Sequence, residues 1–201
     1  MSESFSALLA QQQDGQHHCD YQSLSIDDLD AGDVTVAIEY STHNYKDGLA
    51  ISGAAPIVQR YPLVLGIDYA GTVLDSSHPN FAAGDRVVLN GYGASEYLHG
   101  GYAQRARVSG ELLVKLPDAL TTQQAMAIGT AGYTAMLSVM ALQGGGVGAD
   151  AGDILVTGAA GGVGSVAVSL LASQGYRVVA STGRSEEEAF LKSLGAAEII
   201  D

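Results

Sequence analysis

The chain has 201 residues, with 22 acidic against 9 basic side chains and a formal net charge of −13. That acidic balance speaks against nucleic acid or an anionic membrane as a partner. A hydrophobic share of 47% excludes a disordered chain, and one cysteine, Cys19, excludes a disulfide framework, a four-cysteine zinc lobe and an iron–sulfur cluster.

The opening Met1-Ser-Glu-Ser-Phe5 carries an acid and no base before its first apolar stretch, so no secretory signal is expected. Two uncharged stretches, 119–149 and 154–176, invite a test as membrane spans. Both are interrupted by Gly-rich or Gln/Thr-rich segments that would expose backbone to lipid. Buried elements of a cytoplasmic protein are expected instead.

The first half reads as β. Residues 33–40 alternate apolar and polar side chains, and 71–74, 85–89, 101–108 and 112–116 are further short strands closed by Pro117-Asp118. Strands at this spacing suggest a small barrel or sandwich. Beyond Pro117, Thr121 or Thr122 is the expected N-cap of an apolar helix over about 123–142, ending at Gly144-Gly-Gly. A strand at 154–157, a Gly-rich turn, a helix at 165–173, a strand at 176–181, a helix at 185–194 and a strand from Glu198 follow. That order is βαβαβ, half of a doubly wound nucleotide-binding sheet.

The turn Thr157-Gly-Ala-Ala-Gly-Gly-Val-Gly164 carries the sharpest chemistry. It follows a strand and opens a helix, the context in which such a motif is credible. Gly161 lets backbone approach a pyrophosphate, Gly164 allows close helix–strand packing, and the helix N-terminus offers free N–H donors. Ala160, Gly161, Gly162 and Val163 are the expected cofactor-binding residues of the turn. The end of the second strand reads Ala180-Ser-Thr-Gly-Arg184, without the acid an NAD ribose wants. Thr182, the Gly183 amide and the Arg184 guanidinium suit a phosphate there, so NADPH is the expected cofactor. The alternative for Arg184 is a surface pair with Glu187 or Glu188.

Further segments carry a resemblance. They are Asn44-Tyr-Lys-Asp-Gly-Leu-Ala-Ile51, 61–73 (YPLVLGIDYAGTV), 100–108 (GGYAQRARV), 125–136 (AMAIGTAGYTAM), 156–165 and 193–196. With these the chain resembles the zinc-independent medium-chain dehydrogenase/reductases, in the acryloyl-CoA reductase branch that includes proteins called quinone oxidoreductases. The resemblance implies an α/β fold, with a GroES-like β-barrel catalytic domain over 1–122. A linking helix and the first half of a Rossmann sheet then occupy 123–201. It also implies further chain beyond Asp201, making this a C-terminally truncated fragment, and a homodimer in the full-length form.

Zinc-dependent relatives place a cysteine near the position of Asn44 and Gly-His-Glu where this chain has Gly66-Ile67-Asp68. Asn and Ile cannot replace those ligands, and the five histidines show no ligand spacing, so no catalytic metal is expected. The chemistry then implied is hydride addition from NADPH to an activated C=C bond, in acryloyl-CoA or a related enoyl thioester. Tyr45 is the expected catalytic residue, lining the cofactor site and either hydrogen-bonding NADPH or donating a proton. Lys46 and Asp47 read as an ion pair or cap, and Arg60, Arg105 and Arg107 as structural cations. NADPH:quinone reduction and an NADPH-binding module without turnover remain the alternatives.

Overall fold

A computed structural model describes residues 4–201, which fall into two compact units, one ending at Thr130 and one spanning Ala131–Asp201. The first unit opens with a hairpin of β1 (Phe5–Gln13) and β2 (Gln16–Leu24). Its two-residue turn, Asp14-Gly15, takes the left-handed φ values (50° and 78°) that a tight hairpin demands. Phe5, Ala7 and Leu9 alternate inward from β1 and pack on Leu29 and Val64.

Strand β3 (Val34–Ser41) leads into helix α1 (Tyr45–Ser52), then β4 (Leu63–Val64), β5 (Asp68–Ser76), β6 (Arg86–Asn90), β7 (Arg105–Val108) and β8 (Val114–Lys115). These make a five-stranded sheet in the order β7-β3-β5-β6-β8 and a three-stranded sheet in the order β2-β1-β4. The core of the five-stranded sheet gathers Val34, Val36, Tyr69, Val73, Val87 and Leu89. Gly71 sits where β3 and β5 slip register, and a Cβ there would overlap the Ala37 carbonyl. Only four residues of the expected 101–108 strand pair along β3; 101–104 instead meets β1 and β4 through turn-like bonds such as Leu8 N–H to the Tyr102 carbonyl at 2.7 Å.

Asp68, the first residue of β5, is fully buried and accepts four hydrogen bonds, two on each oxygen. Oδ2 receives Asn44 Nδ2 at 3.0 Å and the Thr130 amide at 2.9 Å. Oδ1 receives Asn90 Nδ2 at 3.1 Å and the Thr130 hydroxyl at 2.5 Å. One carboxylate thus joins the start of α1, the end of β6 and helix α2 (Thr122–Gly144). Asp47 adds a second buried tie, accepting the Asn44 amide at 2.8 Å and the Ile67 amide at 3.0 Å.

Helix α2 starts as expected on a capping box: the Thr121 hydroxyl accepts the Gln124 amide, and Gln124 Oε1 accepts the Thr121 amide. It does not continue regularly. Gly129 leaves helical geometry (φ 53°, ψ −168°), and the helix restarts at Thr130, whose amide Asp68 caps. By length and composition α2 is also long and apolar enough to cross a membrane.

The second unit contains β9 (Asp153–Val156), α3 (Gly162–Ser173), β10 (Arg177–Ser181), α4 (Glu188–Ser193) and β11 (Glu198–Ile200). The strands are parallel in the order β11-β10-β9, with Val139, Val168, Leu171, Val178 and Leu191 in the core. α3 begins three residues earlier than the sequence suggests, because its glycines form the first turn instead of delaying it. A Cβ on Gly164 would overlap the carbonyl oxygen of Gly158, so bare backbone is what lets the helix seat on the strand. A 3₁₀ turn at Ser185–Glu187 shortens the expected last helix to α4.

Asp68→Asn tests the carboxylate hub with almost no change in volume. The amide would turn an NH₂ toward two donors, leaving groups unsatisfied at about 1–3 kcal/mol each. Urea unfolding should show a lower midpoint at unchanged slope and a loss of about 3 kcal/mol. A variant as stable as the parent would show that the four donors find other partners.

Candidate active site

In the second unit the chain leaves β9 at Val156 and turns through Gly158, which takes φ 58°. The turn closes on itself by the Gly161 amide donating to the Gly158 carbonyl at 2.9 Å, and it is tied to β10 by the Ala159 amide on the Ser181 carbonyl at 3.0 Å. Gly161 is the N-cap of α3, and the first helical bond is from the Ser165 amide back to Gly161 at 2.9 Å. The amides of Gly162, Val163 and Gly164 therefore have no partner within the helix and point out at its positive end. No acidic residue occupies that first turn. A groove of about 480 Å³ runs along it, lined by Leu155, Thr157, Gly158, Gly161, Gly162 and Val163 among others.

Arg184 closes the other side. Its Nη2 donates to the Ala160 carbonyl at 3.0 Å, while Nη1 lies 3.6 Å from Glu187 Oε1, the surface pair that the sequence offered as the alternative. The Thr182 hydroxyl accepts the Arg184 amide at 3.2 Å. Ala160, Gly161, Gly162 and Val163 of the turn are thus brought beside Arg184, with Thr182 and Gly183 at the end of β10. Thr182 and Gly183 also line a second cavity of about 520 Å³ with Glu188, Lys192, Glu198 and Asp201. Glu198 and Asp201 reach this cavity because β11 runs beside β10, a placement that no local signal in the sequence marks. Lys192 pairs with Glu188 one helical turn away.

This turn fits a dinucleotide phosphate on physical grounds. It offers unpaired amides, a helix dipole, room against bare glycine backbone and a guanidinium whose present partners are one carbonyl and one partly exposed carboxylate.

In the first unit, Tyr45 begins α1 and is 85% exposed. Its neighbours are fixed: Asn44 by Asp68, Asp47 by two amides, and Lys46 by an ion pair with Glu96. Lys46 and Asp47 therefore serve as separate ties, the one an ion pair across to the 91–98 loop, the other a cap. That loop is itself unusual, with Tyr92 and Ser95 in left-handed backbone at φ 51° and 66°. Arg60 pairs with Asp30 and donates to the Tyr97 carbonyl at 2.5 Å; Arg107 donates to the Asp30 and Leu29 carbonyls.

A groove of about 700 Å³ lies where β3 runs past the end of β7, lined by Tyr40, Thr42, His43, Tyr102 and Gln104 with apolar Leu8 and Ile38. The Tyr102 hydroxyl donates to the Thr42 carbonyl at 3.1 Å and lies 3.1 Å from His43 Nδ1. Burial, followed by the charge of Asp47, a hydrogen bond to it and the charge of Asp68, pushes the Tyr102 phenol well above its usual range. No spacing in the sequence marks His43, since its partner is 59 positions away.

Three of the other four imidazoles are engaged elsewhere. His17 meets the Tyr61 hydroxyl and the Ile51 carbonyl, His78 meets Glu111, and His99 Nδ1 accepts the Val64 amide. Burial holds His99 below the usual imidazole range, against the opposing pull of Asp30. Among the described residues, no group of three or more His, Cys, Asp or Glu side chains is placed to hold a metal ion.

Comparison with known proteins agrees with this arrangement. The alcohol dehydrogenase GroES-like domain matches residues 30–118. The acrylyl-CoA reductase AcuI of Ruegeria pomeroyi is 52% identical over 198 residues, which are 98% of this chain and 60% of that protein. The yhdH oxidoreductase from Salmonella enterica, solved in complex with NADP, is 51% identical with a TM-score of 0.94, covering 97% of this chain and 60% of its own. The yhfP protein of Bacillus subtilis, solved with NAD bound, is 46% identical with a TM-score of 0.93, covering 99% and 60%. The chain thus spans about 60% of the length of the curated relatives it matches. Its GroES-like domain, its parallel sheet with a glycine turn and these relatives make the chain a member of the medium-chain dehydrogenase/reductase family.

Proposed function

We propose that the protein is an NADPH-dependent oxidoreductase that reduces the activated C=C bond of an enoyl thioester of the acryloyl-CoA type, without a catalytic metal. The observation that carries this reading is the acid-free N-terminus of α3 with the Arg184 guanidinium beside it. Ala160 to Val163 would hold the pyrophosphate, while Thr182, Gly183 and Arg184 would hold the ribose phosphate that distinguishes NADPH. When bound, NADPH supplies a hydride to the β-carbon of the electron-poor alkene. The chain's own part is to orient that carbon, exclude water and hold the enolate oxygen and the proton that follows.

Support for the reading also comes from the relatives, one named an acrylyl-CoA reductase and one solved with NADP. Tyr45 is the proposed catalytic contact, exposed on a backbone that Asn44 and Asp47 hold still. Metal-free chemistry is supported by Asn44 and Ile67 at the ligand positions of zinc-dependent relatives, Asn44 being committed to Asp68. Within this reading α2 is a core helix of a cytoplasmic enzyme, and the full-length form works as a homodimer on small molecules alone.

A second acceptor class is favoured by one observation. In the first unit Lys46, Arg60, Arg86, Arg107 and Lys115 are each engaged by protein groups. CoA carries several phosphates that want such cations, whereas a quinone carries none. Quinone reduction therefore stands as the alternative, and parallel assays with crotonyl-CoA and a benzoquinone separate the two by which one oxidises NADPH.

Calorimetric titration of the folded chain should show NADPH binding more tightly than NADH. Arg184→Ala should weaken NADPH by about tenfold, the loss of a charge-assisted hydrogen bond, and leave NADH unchanged. Equal binding of both cofactors by the parent would remove the role given to Arg184. Tyr45→Phe, which keeps the ring and deletes the hydroxyl, should weaken NADPH by about fivefold for one lost hydrogen bond. Unchanged binding with a lowered turnover would instead assign the phenol to proton transfer.

A further inference from the structure

We infer that His43 is an oriented proton donor in an acceptor groove of the first unit, its Nε2 facing the acyl carbonyl and α-carbon of the bound thioester. The inference rests on the enoyl-reductase reading and adds to it a source for the second hydrogen, a role otherwise open only to the Tyr45 phenol.

The argument starts from one proton. Tyr102 has a single phenolic hydrogen, and two oxygens compete for it, the Thr42 carbonyl at 3.1 Å and the Asp47 carboxylate. The phenol stays protonated, because burial and the carboxylates of Asp47 and Asp68 oppose its ionisation. Its oxygen is then left as an acceptor 3.1 Å from His43 Nδ1. Two acceptors cannot share a bond without a hydrogen, so Nδ1 must carry one. In the neutral imidazole this places the lone pair on Nε2, and in the imidazolium it places a donatable N–H there. An imidazole fixed by a partner on its far nitrogen is the arrangement that acid–base catalysis by histidine uses.

The surroundings suit a thioester. His43 lines the groove of about 700 Å³ together with Tyr40, Thr42, Tyr102 and Gln104, over apolar walls from Leu8 and Ile38. That is an apolar slot with a few convergent polar groups, the usual form of a small-molecule site. The acid that also lines it, Glu39, is occupied by the Thr72 and Thr122 hydroxyls at 2.6 and 2.7 Å. Among the five histidines, His17, His78 and His99 have a ring nitrogen tied to backbone or to a carboxylate. His43 lies on the β3–α1 connection, two residues before Tyr45, the first residue of α1.

The step balances without a further reagent. Hydride addition leaves an enolate, whose α-carbon takes the proton from the His43 imidazolium. The Nε2–H bond breaks, the α C–H bond forms, and the electron pair stays on Nε2. The neutral Nδ1–H form that results is the one Tyr102 stabilises, and solvent returns the proton to Nε2. Overall one hydride and one solvent proton are consumed for each alkene.

The tautomer is read directly on the 201-residue chain by ¹⁵N NMR of labelled histidines. His43 should show protonated Nδ1, and titration with crotonyl-CoA should move its Nε2 resonance while those of His17, His78 and His99 stay in place. Tyr102→Phe should release Nδ1 and mix the two tautomers. A protonated Nε2 in neutral His43, or an Nε2 unmoved by saturating crotonyl-CoA, would overturn the inference. With NADPH and methacrylyl-CoA in D₂O, the parent should deuterate the α-carbon on one face, and His43→Gln should lose that preference while binding NADPH equally well. One-faced deuteration by His43→Gln would also overturn it. If the parent oxidises no NADPH with any activated alkene, the enoyl-reductase reading fails, and the NMR titration still decides whether His43 meets a thioester.

Discussion

The first unit depends on a buried negative charge that has no ion-pair partner among the described residues. An ionised carboxylate removed from water is costly unless hydrogen bonds replace its solvation, and two donors on each oxygen do so at Asp68. The donors come from three places far apart in sequence, so satisfying one group fixes three backbone segments at once. Asn44 sets the first turn of α1, Asn90 sets the base of the strained loop after β6, and Thr130 restarts α2 after Gly129. The donor set also explains the break in α2. A continuous helix would keep the Thr130 amide bonded to its own preceding turn, whereas the Gly129 kink frees it for Asp68.

The second unit solves a different problem with the same currency of unpaired amides. Its helix begins without an acid and without a side-chain cap, so the amides after Gly161 remain available. In a chain of net charge −13, an anion-binding point must be made locally, from backbone and one guanidinium. Gly164 is central to that, since the helix must come close to β9 for its N-terminus to face the turn. Arg184 then acts twice, bracing the turn through the Ala160 carbonyl and offering its remaining N–H groups outward. Whether Glu187 competes for it is decided by solvent exposure: both side chains are partly exposed, and such a pair contributes little.

How much of this the sequence disclosed follows from the range of the interactions. The second unit is built from local rules, a two-residue period in the strands, a glycine turn and short crossovers, and its elements are legible to within about three residues. In the first unit local signals existed and were passed over. Asp14-Gly15 marks the hairpin turn, and Asn44 and Gly53 bracket α1, the latter at φ 67° in its C-cap. The Asp68 hub and the His43–Tyr102 pair had no such mark. Their partners lie between 22 and 62 positions apart, and nothing in composition or period says which polar residues will share a buried space. Gly71 hints at close approach in a strand, yet the carbonyl it approaches belongs to another strand.

The distribution of cations bears on what the groove beside β3 can take. A CoA ester is recognised partly by its phosphates and partly by its acyl–pantetheine arm, and the two parts ask for opposite surfaces. The groove offers the second: apolar walls, tyrosine hydroxyls and an amide at Gln104 that can pair with pantetheine amides. The cations of that unit named above brace its own loops, with Arg60 and Arg107 both holding the segment around Asp30. Affinity for a thioester would therefore come from the arm and from the His43 contact, with the nucleotide end left largely in solvent. Binding of that kind varies weakly with ionic strength, since few ion pairs form, whereas a site built on phosphate contacts loses affinity steeply as salt rises.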